Sequence, residues 1–237
     1  LAGVCGWLAA PAEAGWAALG GVLLLVTVVL DCADGMLARL RGISSPFGML
    51  LDGSMDMVVG AAVCIGMGQL SLVTIDQWWT TPMLVLVFAS VVVHCALYDH
   101  YKNQFLSYVD PAAGTVTERE HRLVPEDAGR LQRVLGSLYR RVYGRISSFS
   151  AGAKGTPVRA RVSPERARSL LAPAMRKMSW LGLGTQMALI YVAMFLAELD
   201  PWLPLPALGL LIGGLMNLWV LFALRDWRRR ERQLLAG

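Results

Sequence analysis

Apolar residues run almost without interruption over residues 15–40, 47–72, 83–108, 178–197 and 204–224, and polar or turn-forming stretches separate them. Each run approaches the roughly 20 residues that an α-helix needs to cross a bilayer. None alternates with a period of two, which argues against a β-barrel. A further apolar run, residues 1–10, precedes the turn Pro11-Ala12-Glu13-Ala14. It has no basic leader region and is therefore read as the remnant of a truncated first span, not as a signal peptide. The pattern predicts an all-α integral membrane protein with six transmembrane helices, the first one truncated. Breaks between the runs carry matching chemistry. Ser44, Ser45 and Pro46 suit a helix start after Gly42. Trp78 and Trp79, in the 74–82 loop, suit an interfacial belt.

Residues 109–177 read differently. They are polar and rich in arginine, with glycine and proline scattered through them. Within them, Leu131, Val134, Leu135, Leu138 and Val142 recur at helical spacing against Arg130, Arg133, Arg140 and Arg141. That predicts a basic amphipathic helix over 126–145, lying on an anionic membrane face. Residues 147–164 read as a loop. The expected organisation is one membrane domain over 1–237. It comprises motif-bearing helices at 15–108, a cytoplasmic basic segment at 109–177, the last two spans at 178–224 and a basic tail at 225–237.

Composition supports the membrane assignment. The chain is 55% hydrophobic and 16% charged, with a mean hydropathy of +0.50, whereas soluble domains carry about 25% charge. The net charge of +5 matters less than its placement. Of 22 Lys and Arg residues, 14 lie in 110–177 and five in the tail, and the others are Arg39, Arg41 and Lys102. The loops at 11–14, 72–82 and 198–204 contain none; their only charged residues are Glu13, Asp76, Glu198 and Asp200. With six spans every basic segment falls on one side, and the positive-inside rule makes that side cytoplasmic. The basic tail then flanks the membrane, so nucleic-acid binding is a poor reading of it. Cys5, Cys32, Cys64 and Cys95 all sit in apolar runs without a C-x-x-C pair, and are read as small buried hydrophobes.

The chemistry concentrates at residues 31–56, which read DCADGMLARLRGISSPFGMLLDGSMD. Asp31, Asp34, Gly35 and Ala38 follow i, i+3, i+4, i+7 spacing and share one helix face. Gly48, Asp52 and Asp56 follow i, i+4, i+8 spacing on the next helix. The connection is short, so the two carboxylate pairs sit near adjoining helix ends and can converge. A single charged side chain costs about 2.5–3.5 kcal/mol at the centre of a span, and divalent cations offset that cost. Oxygen ligands of this kind suit Mg²⁺ or Mn²⁺. Two such ions about 3.5–4 Å apart can clamp a phosphoryl group. Gly35 and Gly48 leave room for a ligand beside the backbone. Arg39 offers a bidentate donor to phosphate oxygens.

The pattern D-x2-D-G-x2-A-R-x8-G-x3-D-x3-D resembles the signature of the CDP-alcohol phosphotransferase family, and all eight of its residues match. The resemblance implies an enzyme that displaces CMP from a CDP-linked alcohol by the hydroxyl of a second alcohol, with two Mg²⁺ or Mn²⁺ ions. It implies that Asp31, Asp34, Asp52 and Asp56 ligate the ions, and that Asp56 is also the general base for the acceptor hydroxyl. It implies a CDP site made by Asp34, Gly35, Ala38, Arg39 and Gly48, and a homodimeric assembly. The resemblance does not extend to the family's usual polar lead-in before the first span, an absence read as truncation of the sequence, and the basic middle segment is longer than expected for the smaller family members.

The acceptor side is less marked. His94, Tyr98 and Lys102 share one face of the fourth span at i, i+4, i+8, and ionisable residues within a span are candidate functional groups. They are the candidate acceptor-binding face, against the alternative of a polar helix end with a snorkelling lysine. Arg168, Arg176 and Lys177 read first as membrane anchors, with binding of a phosphorylated acceptor or of lipid phosphates as the alternative. Trp202, Trp219 and Trp227 read as interfacial anchors. Gly209 and Gly213 form a small-x-x-x-small pair that predicts close helix packing, within a subunit or between subunits.

The expected reaction is transfer of a phosphatidyl group from a CDP-linked lipid such as CDP-diacylglycerol to a small polar alcohol. The basic residues lean toward a phosphorylated or anionic acceptor. The alternative within the family is transfer of a head group from CDP-choline or CDP-ethanolamine to diacylglycerol. The alternative of another class is a divalent-cation transporter, which would place its acids near the bilayer midplane on broken helices. Expected partners are the two substrates and membrane lipids. The expected setting is a bacterial or archaeal inner or plasma membrane, with the active site facing the cytoplasm.

Overall fold

A computed structural model describes residues 16–41, 59–60, 62–63, 66, 78–110, 133, 137, 162–200 and 202–236, the side chains of residues 16, 17, 38 and 39 excepted. Its described elements are all helical: α1 (Trp16–Leu40), α2 (Thr80–Val109), α3 (Pro164–Met178), a 3₁₀ turn (Ser179–Leu181), α4 (Leu183–Leu196), α5 (Pro204–Leu208), a π-helical segment (Gly209–Met216) and α6 (Asn217–Leu235). Four stretches are long and apolar enough to cross a membrane: Ala18–Leu37, Thr80–Val109, Pro164–Leu196 and Pro204–Leu235. They correspond to four of the six expected spans. Of the other two, residues 1–10 lie outside the described residues. Of 47–72, Val59, Gly60, Ala62, Val63 and Gly66 are described and helical.

By its contacts the chain divides into two compact units, Leu1–Val92 with Leu183–Asn217, and Val93–Gly182 with Leu218–Gly237. In the first unit, α1 and α4 pack antiparallel. Near the start of α1, a Cβ on Gly21 would lie 3.3 Å from Phe195 Cε2 and 3.4 Å from the Tyr191 carbonyl. Glycine therefore lets the two helices approach. The Ala18 N–H, one of the donors a helix leaves unpaired in its first turn, donates to Glu198 Oε1 at 2.9 Å. Thr27, the polar side chain within the apolar part of α1, donates its hydroxyl to the Leu23 carbonyl at 2.8 Å, so no hydroxyl meets lipid unpaired.

Gly209 and Gly213 pack within the subunit. A Cβ on Gly209 would collide with Met83, and one on Gly213 would fall 3.0 Å from Leu86 Cδ2. The π-helical segment that contains both glycines is held by Asn217. Its side-chain amide donates to the Gly213 carbonyl at 2.7 Å and to Ser90 Oγ at 2.9 Å. An amide so placed ties the π segment to α2, a contribution of about 0.6–2 kcal/mol between membrane helices.

The second unit contains the end of α2, all of α3 and most of α6. Ser163 caps α3, its Oγ accepting from the Arg166 N–H, and Pro164 follows in the first turn, a preorganised helix start. Ala167, Leu171, Ala174 and Met178 form its buried face. This helix lies within the segment expected to be wholly cytoplasmic. The span expected as continuous from 178 to 197 is interrupted by the 3₁₀ turn and by Gly182, whose backbone is extended (ψ 157°). Glycine eases the packing there, since a Cβ would sit a tight 3.2 Å from the Ser179 carbonyl and 3.5 Å from the Tyr98 ring.

The basic tail is no tail. It is the second half of α6, and it buries Trp227 and Leu234. Its two acids fasten it to its neighbours. Asp226 accepts from Lys177 Nζ at 2.8 Å and from Arg230 Nε at 3.0 Å. Glu231 accepts from Gln104 Nε2 and from the Tyr108 hydroxyl, the latter at 2.8 Å. Arg230 also donates to the Leu170 carbonyl at 3.2 Å, and Trp219 Nε1 donates to the Lys177 carbonyl at 3.1 Å. Trp227, expected as an interfacial anchor, is instead fully buried, its ring centroid 5.1 Å from that of Tyr101. Of the cysteines expected to be buried, Cys32 is exposed and Cys95 half-buried; Cys5 and Cys64 lie outside the described residues. The amphipathic helix expected over 126–145 is described only at Arg133 and Ser137, both helical and exposed.

Candidate active site

Asp31, Asp34 and Gly35 occupy the C-terminal part of α1. The helix runs from Trp16 through Leu40 without a break, because alanine, leucine and methionine surround the aspartates and no proline intervenes before Pro46. Both aspartates are exposed and Gly35 is half-buried. At about 100° per residue, Asp31, Asp34, Gly35 and Ala38 fall on a single face. Two exposed carboxylates one turn apart with a glycine on the same face leave that face open to a ligand. Arg39 follows on the same helix.

Asp52, Asp56 and Gly48 lie outside the described residues. Among the described residues no three His, Cys, Asp or Glu side chains gather in a group that could hold a metal ion. Asp31 and Asp34 on their own supply two hard oxygen donors. That donor chemistry fits Mg²⁺ or Mn²⁺ and is half of the set that the sequence implies.

The residues of the candidate acceptor face stand on one side of α2, in the second unit. His94 is fully buried, Tyr98 half-buried and Lys102 exposed. Lys102 Nζ lies 5.8 Å from the centre of the Tyr98 ring, within cation–π range. The Tyr98 ring also packs near Gly182, where an added Cβ would lie 3.5 Å from its Cε1. Thus the face grades from core to surface over two helical turns. Lys102 is the member that a solute could reach directly.

Residues 1–116 match the CDP-alcohol phosphatidyltransferase family. That stretch contains the whole Asp31–Asp56 pattern. The match to this family thus covers a little under half of the chain. Members of the family are membrane transferases that move a phosphatidyl group from a CDP-linked alcohol to an alcohol acceptor, with divalent metal ions. No match was found among curated proteins or among solved structures. Residues 117–237, which include α3 to α6, lie outside the family match.

The sequence reading overlooked Asp226, Glu231 and Asn217, which tie α6 to α3 and α2. A signal for the first two was present. Val220, Ala223, Trp227 and Leu234 continue a helical apolar stripe through the basic run, and the two acids flank that stripe. Asn217 carried no comparable signal, because its partner Ser90 is 127 residues away.

Proposed function

We propose that this chain transfers a phosphatidyl group from CDP-diacylglycerol, or a closely similar CDP-linked lipid, to a small polar alcohol and releases CMP. The observation that carries the proposal is the complete eight-residue pattern from Asp31 to Asp56, whose first half stands on an open face of α1. Asp31, Asp34, Asp52 and Asp56 would hold two Mg²⁺ or Mn²⁺ ions, which neutralise charge on the diphosphate when bound. Arg39 donates to the diphosphate oxygens. Gly35 and Gly48 let the cytidine and diphosphate lie against helix backbone. Asp56 accepts the proton of the acceptor hydroxyl, which converts a weak nucleophile into an effective one. A positioned base of this kind contributes about 10²–10⁴-fold in rate. The arginine and lysine distribution supports a cytoplasmic site. Lys102, exposed beside Tyr98, is the side chain of the second unit best suited to an anionic group on the acceptor.

The transporter alternative is less well supported. Transport sites use discontinuous helices that bring backbone termini to the ion, whereas α1 is unbroken through both aspartates. The donor is tested by comparing CMP release from CDP-diacylglycerol and from CDP-choline with diacylglycerol, by purified protein with Mn²⁺. Release from CDP-diacylglycerol that depends on an added polar alcohol supports the proposal. Release only from CDP-choline transfers the assignment to head-group transfer, and metal uptake into liposomes without CMP from either donor rejects both. An acceptor panel then bears on Lys102. Lys102→Ala should raise KM for an anionic acceptor while leaving a neutral one unchanged, and equal KM values for both would remove it from the site.

A further inference from the structure

The outward face of α6 carries a feature that neither catalysis nor helix packing uses. Arg225, Arg228, Arg229 and Arg232 follow i, i+3, i+4, i+7 spacing, and all four are exposed. They stand opposite the buried Trp227 and Leu234 on the helix circumference, and span about 10 Å along the axis. The two acids of this half of the helix do not neutralise them. Asp226 is engaged by Lys177 and Arg230, and Glu231 by Gln104 and Tyr108. Among the described residues, neither ion pair includes any of the four arginines. Arg232 Nε donates to the Arg228 carbonyl at 3.2 Å, which leaves the forked end of its guanidinium for other acceptors.

The same stripe continues toward the apolar end of the helix. Leu218, Leu221 and Phe222 precede Arg225 at the spacing that keeps one face, and are 64%, 53% and 51% exposed. A large apolar side chain exposed on a helix of a membrane protein meets lipid tails. The arginines directly beyond it on that face therefore lie at the depth of the lipid headgroups, not over the interior of the protein. We infer that Arg225, Arg228, Arg229 and Arg232 form a binding site for the headgroups of anionic phospholipids. A soluble polyanion would have to lie against a stripe whose first half is hydrocarbon. An anionic lipid satisfies both halves, its chains along Leu218, Leu221 and Phe222 and its phosphate among the guanidiniums. Clustered basic residues immediately beyond a span favour anionic lipid, and arginine adds bidentate phosphate geometry.

The test uses the full chain in nanodiscs of phosphatidylcholine with phosphatidylglycerol added, followed by native mass spectrometry of the lipids that stay bound. It needs no turnover and is independent of the catalytic proposal. Wild type should retain phosphatidylglycerol in preference to phosphatidylcholine. Replacing all four arginines by glutamine should reduce that preference by about tenfold or more, given the size of a single surface-charge contribution. Replacing all four by lysine should keep most of it. Arg166→Gln, which removes an exposed arginine of α3, should leave it unchanged. The inference is overturned if the glutamine variant retains phosphatidylglycerol as wild type does. It is equally overturned if the α3 variant loses as much, or if an added short RNA displaces the lipid from wild type.

Discussion

Asp226→Asn tests whether the carboxylate between α3 and α6 holds the second unit together through charge. The replacement keeps the shape of the side chain and removes its charge. The Asp226 side chain is 14% exposed, and those of Lys177 and Arg230 are 32% and 27% exposed. Hydrogen bonds to charged groups contribute about 1.5–3 kcal/mol each when well buried, and partial exposure of both cations lowers that figure. For the two bonds together the expected loss is about 2 kcal/mol, since asparagine can still accept from one donor. For a chain of this length that corresponds to roughly 4–8 °C in unfolding midpoint. Lys177 Nζ also lies 4.8 Å from the centre of the Phe222 ring; Lys177→Met should cost about 1 kcal/mol, because a thioether can replace the ammonium against that ring. The assay is thermal unfolding of purified protein in detergent, run as a double-mutant cycle. If the pair interacts as its 2.8 Å contact indicates, the double variant will be more stable than the sum of the single losses allows, by about 1 kcal/mol. Strict additivity would refute the interaction.

Other expectations follow from the same helices. Gly209→Leu should destabilise by about 1–3 kcal/mol through overpacking against Met83, and Met83→Ala should restore much of the loss in the same unfolding assay. Glu231→Ala should cost about 1–3 kcal/mol, because the Gln104 amide and the Tyr108 hydroxyl lose their shared acceptor. Trp227 Nε1 is buried with no hydrogen-bond partner among the described residues. Trp227→Phe should therefore cost much less than Trp227→Ala, for which a loss of about 3–5 kcal/mol is expected, and equal losses would show that the indole N–H is paired after all.

Much of this architecture was legible in the sequence where a signal was local. The apolar run at 15–40 gave α1 to within a residue at its start, because nothing inside that run breaks a helix. The run at 83–108 gave α2, which begins earlier, at Thr80. The active-site pattern was equally legible, since fixed spacing on one helix places Asp31 beside Asp34 whatever the rest of the chain does. Failures came where long-range contacts decided the outcome. The interruption at Gly182 depends on Tyr98, 84 residues earlier, and cannot be read from the glycine alone. The tail read as a membrane-flanking basic segment because arginine dominates it, yet Trp227 has a buried place against Tyr101 and draws the helix into the core. Cys32 lies in an apolar run but on an exposed face of α1, beside the aspartates. Hydropathy averages over all faces of a helix and does not separate lipid, core and ligand. The division of the Gly209 and Gly213 contacts, left open by the spacing, was decided by Met83 and Leu86.

The central claim is that the Asp31–Asp56 carboxylates form a metal-dependent site for CDP-linked lipid. It is tested most directly by CMP release from CDP-diacylglycerol by purified wild type, Asp34→Asn and Asp56→Asn, with Mn²⁺ present or removed by chelation. Wild type should release CMP only with metal. Asp34→Asn should lose activity together with metal affinity, and Asp56→Asn should lose about 10² or more in rate. Metal-independent release, or release that survives both substitutions, would contradict the account.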